Sequence, residues 1–143
     1  MADSKTARSL QVLARSLTRM ERGRARALDV TPQQAEALQI IGERRDVSTS
    51  SIAQELGIDP STASRNLAGL ARGGYIIRVR GRGDGRQVEI RLTPKGKRKT
   101  EAISIDWLRA CSLALGRLPV DERQRLAQYV DVLVHALGAN TSR

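Results

Sequence analysis

Hydroxyl and guanidinium groups are the chemistry this sequence concentrates, and they cluster between Asp59 and Leu92. The stretch Asp59-Pro60-Ser61-Thr62-Ala63-Ser64-Arg65 runs on through Arg72 to the pair Gly73-Gly74. Asp59 is placed to cap a helix, Pro60 fits its first turn, and the glycine pair ends it. At about 100° per residue, Ala63, Leu67, Leu70 and Ala71 share one side, while Ser61, Arg65, Ala68 and Arg72 share the other. That outer face carries two guanidinium groups and no carboxylate, and Ala68 and Gly69 are short enough to let a surface approach closely. A guanidinium can pair in bidentate fashion with guanine O6 and N7, so Arg65 is the candidate for a base edge. Ser61, Thr62 and Ser64 offer hydroxyls beside it, and Arg72, near the helix end, suits a phosphate. The plain alternative is a solvated helix face; the segment after Gly74 favours DNA contact.

That segment is a hairpin. Tyr75 to Arg80 reads as a strand, and Arg86 to Leu92 as a second, with Val88, Ile90 and Leu92 alternating inward. Gly81-Arg82-Gly83-Asp84-Gly85 joins them as a tip. Arg80, Arg82 and Arg86 on a glycine-rich tip could merely keep a sheet edge soluble, but three arginines with one aspartate exceed that need. An arginine-bearing helix followed by an arginine-tipped hairpin is the layout of a winged helix-turn-helix. The helix enters the major groove, and the tip reaches an adjacent minor groove or phosphates. Lys95, Lys97, Arg98 and Lys99 read as a solvated face that adds a general field.

Composition agrees. The formal net charge is +10 over 143 residues, which suits a polyanionic partner. Between Ser61 and Lys99 the bases face only Asp84 and Glu89 as acids, so the excess sits almost wholly there. A membrane surface would also attract it, but that reading needs a basic amphipathic helix, and here much of the charge lies on a hairpin. Met1 to Leu10 lacks the apolar core of a signal peptide, and no apolar run spans a bilayer. Cytoplasmic placement and no membrane partner are the expectation. Cys111 is the sole cysteine, which excludes an intrachain disulfide and fits a reducing compartment. It sits among Leu108, Ala110 and Leu115, so inert packing is favoured over a redox switch. His135 is the sole histidine, with no metal-ligand set around it and no nucleophile–base pair anywhere. No catalytic residue, metal or cofactor is expected. The tip glycines do not lie between a strand and a helix, which argues against a nucleotide-phosphate loop. Arg82-Gly83-Asp84 spells an adhesion tripeptide that is irrelevant without a secretion signal.

These groups need elements to hold them. Ser4 to Arg24 reads as a helix with Leu10, Leu13, Leu17 and Met20 on one seam. Thr31-Pro32-Gln33-Gln34 starts a second, with Ala35, Leu38, Ile40 and Ile41 inward. Gly42 to Val47 breaks it. Ser48 or Thr49 caps a third carrying Ile52, Ala53 and Leu56, and Gly57-Ile58-Asp59 is the tight turn. Thr93-Pro94 starts a helix that runs to about Leu115. Pro119 begins the last, with Leu126, Val130, Leu133 and Leu137 as its seam. All four prolines thus fall at helix starts. The expected fold is mainly α with a small β-hairpin wing: a winged helix-turn-helix flanked by terminal dimerisation helices. A single domain covers 1–143, with 4–30 and 100–138 as dimerisation helices and 31–99 as the DNA-binding unit. Two amphipathic ends fit a two-fold dimer that presents two recognition helices to a palindrome.

In this order of elements the chain resembles the MarR family of bacterial transcriptional regulators. The matching residues are Val30-Thr31-Pro32-Gln33-Gln34, the run from Ile52 to Thr62 across the turn, and Arg65. The most specific are Asp84-Gly85-Arg86 and Leu92-Thr93-Pro94-Lys95-Gly96, which look like the family's Asp-x-Arg wing and Leu-Thr-x-x-Gly exit. The resemblance implies a homodimer on a near-palindromic double-stranded operator, usually a repressor, released by a small ligand or oxidant. It implies that Arg65 contacts the major groove, that Arg86 contacts the minor groove or its phosphates, and that Asp84 orients the wing arginines. An effector pocket between dimer helices and winged unit would be walled by Trp107 with Leu13, Leu17 and Met20; plain packing is the competing reading for Trp107. Two departures stand out. Ala68-Gly69 replaces a frequent Asp-Arg pair, and Asn66 occupies an apolar position, so an orienting ion pair is missing. The alternatives are a non-specific architectural DNA binder without gating and a redox-gated regulator using Cys111.

Overall fold

Caps and prolines start the helices where local chemistry places them. The computed structural model describes residues 3–80 and 88–140. Its elements are α1 (Ser4–Ala27), α2 (Pro32–Glu43), α3 (Thr49–Leu56), α4 (Pro60–Arg72), β1 (Ile76–Arg80), β2 (Val88–Leu92), α5 (Pro94–Leu115) and α6 (Val120–Asn140). Thr31 and Gln34 form the reciprocal capping box of α2, at 3.1 and 3.0 Å. Ser48, not Thr49, caps α3, in a box with Ser51. Gly57 closes α3 in the left-handed region (φ 63°), a conformation that a side chain resists. Helix α1 extends a turn beyond Arg24, to Ala27.

The chain divides into two compact units, one ending at Asp106 and one beginning at Trp107, so the division falls inside α5. In the first, Leu38 of α2, Ile52 of α3, and Leu67 and Leu70 of α4 are fully buried. Ala37, Ile41, Ala63, Ile76, Ile90 and Ile103 join them. Each such Leu or Ile contributes about 1.5–3 kcal/mol. This core fixes α4 by its Ala63–Leu67–Leu70 side. Ala71, expected inward, is exposed: the buried stripe is narrower than the sequence suggests and Ala71 falls at its edge.

The hairpin is a two-stranded antiparallel sheet running from Ile76 opposite Leu92 to Arg80 opposite Val88. Ile76 and Ile90 are buried, but Val88 is 50% exposed. Its expected inward position fails because it sits at the distal end of the ladder, where the strands have left the core. Midway along the ladder, the Ile90 amide donates to the Val47 carbonyl (2.8 Å), tying the wing to the segment before α3.

Helix α1 buries only Ala25, and Leu10, Leu13 and Leu17 on its seam are exposed. In the second unit, Arg123 donates to the carbonyls of Leu118 and Gly116, closing the turn between α5 and α6. Leu126, Val130, Leu133 and Leu137 of α6 are all exposed. Among the described residues no helix is long and apolar enough to cross a membrane.

Candidate nucleic-acid interface

The candidate surface is built from the first turn of α4 outward. The Asp59 carboxylate accepts the Thr62 amide (2.9 Å), the Thr62 hydroxyl (2.6 Å) and the Ser61 hydroxyl. These bonds, that from Ser61 foremost, hold its carboxyl well below the usual carboxylate range. The Thr62 hydroxyl in turn accepts from Arg65 Nη2 (3.2 Å). Ser61, Ser64, Arg65 and Arg72 are exposed and Thr62 is half-buried. The five candidates of α4 thus share one solvent-facing side, and Ser61, Thr62 and Arg65 are linked through Asp59.

The departures from the family pattern have local roles. Asn66 donates to Gln33 Oε1 (2.7 Å), a polar link from α4 to the first turn of α2. A Cβ on Gly69 would lie 2.7 Å from Gln34 Nε2. Gly69 therefore admits the capping side chain of α2, which corrects the expectation that its small size serves an outside surface. In place of the absent ion pair, α4 is held by this amide pair and close approach.

The wing root is held just as tightly. The Thr93 hydroxyl donates to the Gly74 carbonyl (2.6 Å) and accepts the Gly96 amide (3.0 Å), while the Thr93 amide donates to the Tyr75 carbonyl (3.0 Å). A Cβ on Gly96 would stand 1.9 Å from the Tyr75 carbonyl oxygen. The Leu-Thr-x-x-Gly exit is thus a knot between α4, β1 and α5. Lys95 donates to the Gly73 carbonyl at the end of α4 (2.6 Å), and Lys99 to the Leu28 carbonyl (2.8 Å) after α1. Both ammonium groups lie over the Tyr75 ring, at 4.8 and 5.4 Å. These two lysines are structural ties, which corrects their reading as a solvated face. Lys97 and Arg98 are exposed.

On the wing, Arg78 and Arg80 share one side of β1 and are exposed. Neither makes an ion pair among the described residues. Arg91, on the opposite side, is bound to Glu89 (2.7 Å), which raises its basicity. Arg78 is absent from the residues expected to meet DNA, although strand alternation from Arg80 points to it. Arg82, Asp84 and Arg86 lie outside the described residues.

The remaining candidates fall in both units. Leu13 and Leu17 are exposed along one side of α1, and Met20 is half-buried. Trp107 belongs to the second unit and is half-buried, as is Cys111. Among the described residues no group of His, Cys, Asp and Glu side chains is arranged to hold a metal ion. One contact gives no sequence signal: Arg24 of α1 pairs with the Asp106 carboxylate (2.5 Å) and carbonyl (3.0 Å) of α5, across 82 positions.

Known proteins share this fold. Residues 28–87 match the MarR family model. A search of curated protein sequences returns no match. Among solved structures, Streptococcus pneumoniae FabT in complex with DNA aligns with a TM-score of 0.82 at 22% identity, over 94% of this chain and 96% of that one. The S. aureus MepR–DNA complex aligns at 0.72 and 18%, over 90% and 93%. A MarR transcriptional regulator from Methanosarcina mazei aligns at 0.74 and 18%, over 94% and 96%. At these identities the likeness is one of fold. Residues 28–87 thus match the MarR family in sequence, and the described residues have the winged helix-turn-helix fold of the structures they align with.

Proposed function

We propose that this chain is a cytoplasmic, dimeric, sequence-specific double-stranded DNA-binding regulator, and that it represses transcription until a small molecule releases it. The observation that carries the reading is the outer side of α4, where Ser61, Thr62, Ser64, Arg65 and Arg72 face solvent on a helix whose opposite side is locked in the core. Two structures of like fold, FabT and MepR, are complexes with DNA, which supports the same partner here. Arg65 reads a base edge in the major groove, Arg72 meets phosphate, and Arg80, Arg82 and Arg86, with Asp84, serve the wing. The exposed seams of α1 and α6 support a homodimer, because a lone subunit would leave them to water. Leu13, Leu17, Met20 and Trp107 are the residues for an effector to touch. No enzymatic activity is proposed.

Selection from random duplexes followed by footprinting tests this. A discrete near-palindrome bound at least about a thousandfold tighter than bulk DNA is expected. Equal affinity for every duplex, with a steep salt dependence and no footprint, would instead mark a non-specific architectural binder. Arg65→Ala should cost about 1–3 kcal/mol and relax one base pair, whereas Arg98→Ala should weaken all sequences alike and lower the salt slope.

A further inference from the structure

We propose that Asp59 is a specificity-determining residue: by taking the hydroxyl protons of Ser61 and Thr62, it leaves those two side chains able only to accept hydrogen bonds, so that they select adenine or cytosine beneath them. The inference rests on α4 being the DNA-reading helix.

The proton positions follow from valence. An ionised carboxylate carries no hydrogen, so both hydroxyls must donate to it, Ser61 to Oδ1 and Thr62 to Oδ2. A guanidinium has no acceptor, so Thr62 must accept from Arg65. Each hydroxyl has one proton, and each proton is spent on Asp59. What remains outward is one lone pair on Thr62 and two on Ser61. A serine or threonine without such a partner turns its proton either way and discriminates little. These two cannot turn without leaving a charge-assisted bond.

In the major groove, adenine N6 and cytosine N4 donate, while guanine O6 and N7, thymine O4 and adenine N7 accept, so adenine and cytosine are the bases that offer a donor. Phosphate oxygens also accept. The Ser61 and Thr62 hydroxyls therefore gain a bond only from adenine or cytosine, and oppose their lone pairs to the acceptors of guanine and thymine and to phosphate oxygens. Arg65, one helical turn further on, keeps its other N–H groups for guanine. The helix thus presents an acceptor site and a donor site side by side. Asp59 touches no base in this scheme; it acts through the two hydroxyls.

The test is selection from random duplexes with the full-length protein, its Asp59→Asn variant and a Ser61→Ala/Thr62→Val variant. Asparagine caps a helix about as well as aspartate, yet its amide NH2 donates and frees a hydroxyl proton to rotate. The wild type should prefer adenine or cytosine roughly tenfold at a position beside the one that Arg65→Ala relaxes, since a single bond gives the lower part of the range for base discrimination. Asp59→Asn should reduce this to about twofold with the rest of the site unchanged. The Ser61→Ala/Thr62→Val variant, which leaves the cap carboxylate in place, should lose the preference as well and guards against an Asp59→Asn protein that fails to fold. An Asp59→Asn profile identical to wild type, or guanine or thymine at that position, overturns the proposal while leaving DNA reading intact. Enrichment of no site by the wild type defeats the DNA reading itself and this inference with it.

Discussion

Gly96 shows how little space the wing root leaves. With the Tyr75 carbonyl oxygen 1.9 Å from where a Cβ would stand, Gly96→Ala must displace backbone, which is costlier than moving a side chain. A loss of about 1–3 kcal/mol in urea unfolding is expected. The lysines beside it separate by role. Lys95→Ala should lower stability, because it removes the bond to Gly73 and the contact with Tyr75. Lys97→Ala should leave the melting curve alone, weaken DNA binding alike for all sequences and lower its salt slope. Glu36 gives a pH-dependent case. Partial shielding by protein, then the nearby Glu21 and Glu55, raise its carboxyl above the ordinary glutamate value. The charged form is thus penalised in the folded state. Stability from the protonated form is fully present below the ordinary value and is lost as pH climbs through the raised one. Glu36→Gln should melt higher than wild type at pH 7 and equal to it near pH 4; no difference at pH 7 would refute the assignment.

Helix α4 and the hairpin are positioned by different means. Burial of Ala63, Leu67 and Leu70 holds the helix, and the Asn66–Gln33 amide pair sets its contact with α2. The hairpin has a short ladder and little burial beyond Ile76 and Ile90, so its direction depends on Thr93 and the Ile90–Val47 bond. Thr93→Val removes a donor and an acceptor at once. It should cost about 1–2 kcal/mol and speed amide exchange in β1 and β2 more than in α2; uniform exchange across both would show that the knot is not local. Local patterns are legible in the sequence here. Thr31, Asp59 and the prolines act on groups within three or four positions, and the core side of α4 follows from helical periodicity. The misreadings are non-local. Gly69 meets Gln34, Lys95 meets Gly73 and Lys99 meets Leu28, partners brought together by packing that no spacing encodes. Val88 alternates correctly, but alternation carries no information about where a strand leaves the core.

For the protein as a whole, the apolar seams of α1 and α6 are the surfaces that call for a partner. Leu13 is 53% exposed and Val130 44%, and faces of this kind are stable when a second subunit covers them. Leu17→Glu, and separately Leu133→Glu, should shift sedimentation from dimer to monomer mass and weaken operator binding at least about tenfold through lost bivalency. A monomeric wild type would refute the assembly.

Residue order alone specified the helix starts, the two strands and the basic outer side of α4, because caps, periodicity and charge are short-range properties written in neighbouring residues. Packing decided the rest: which lysines are tied to carbonyls, how Gln34 meets Gly69, and how Arg24 finds Asp106. Those contacts exist only once burial of the core has brought distant segments within hydrogen-bond reach.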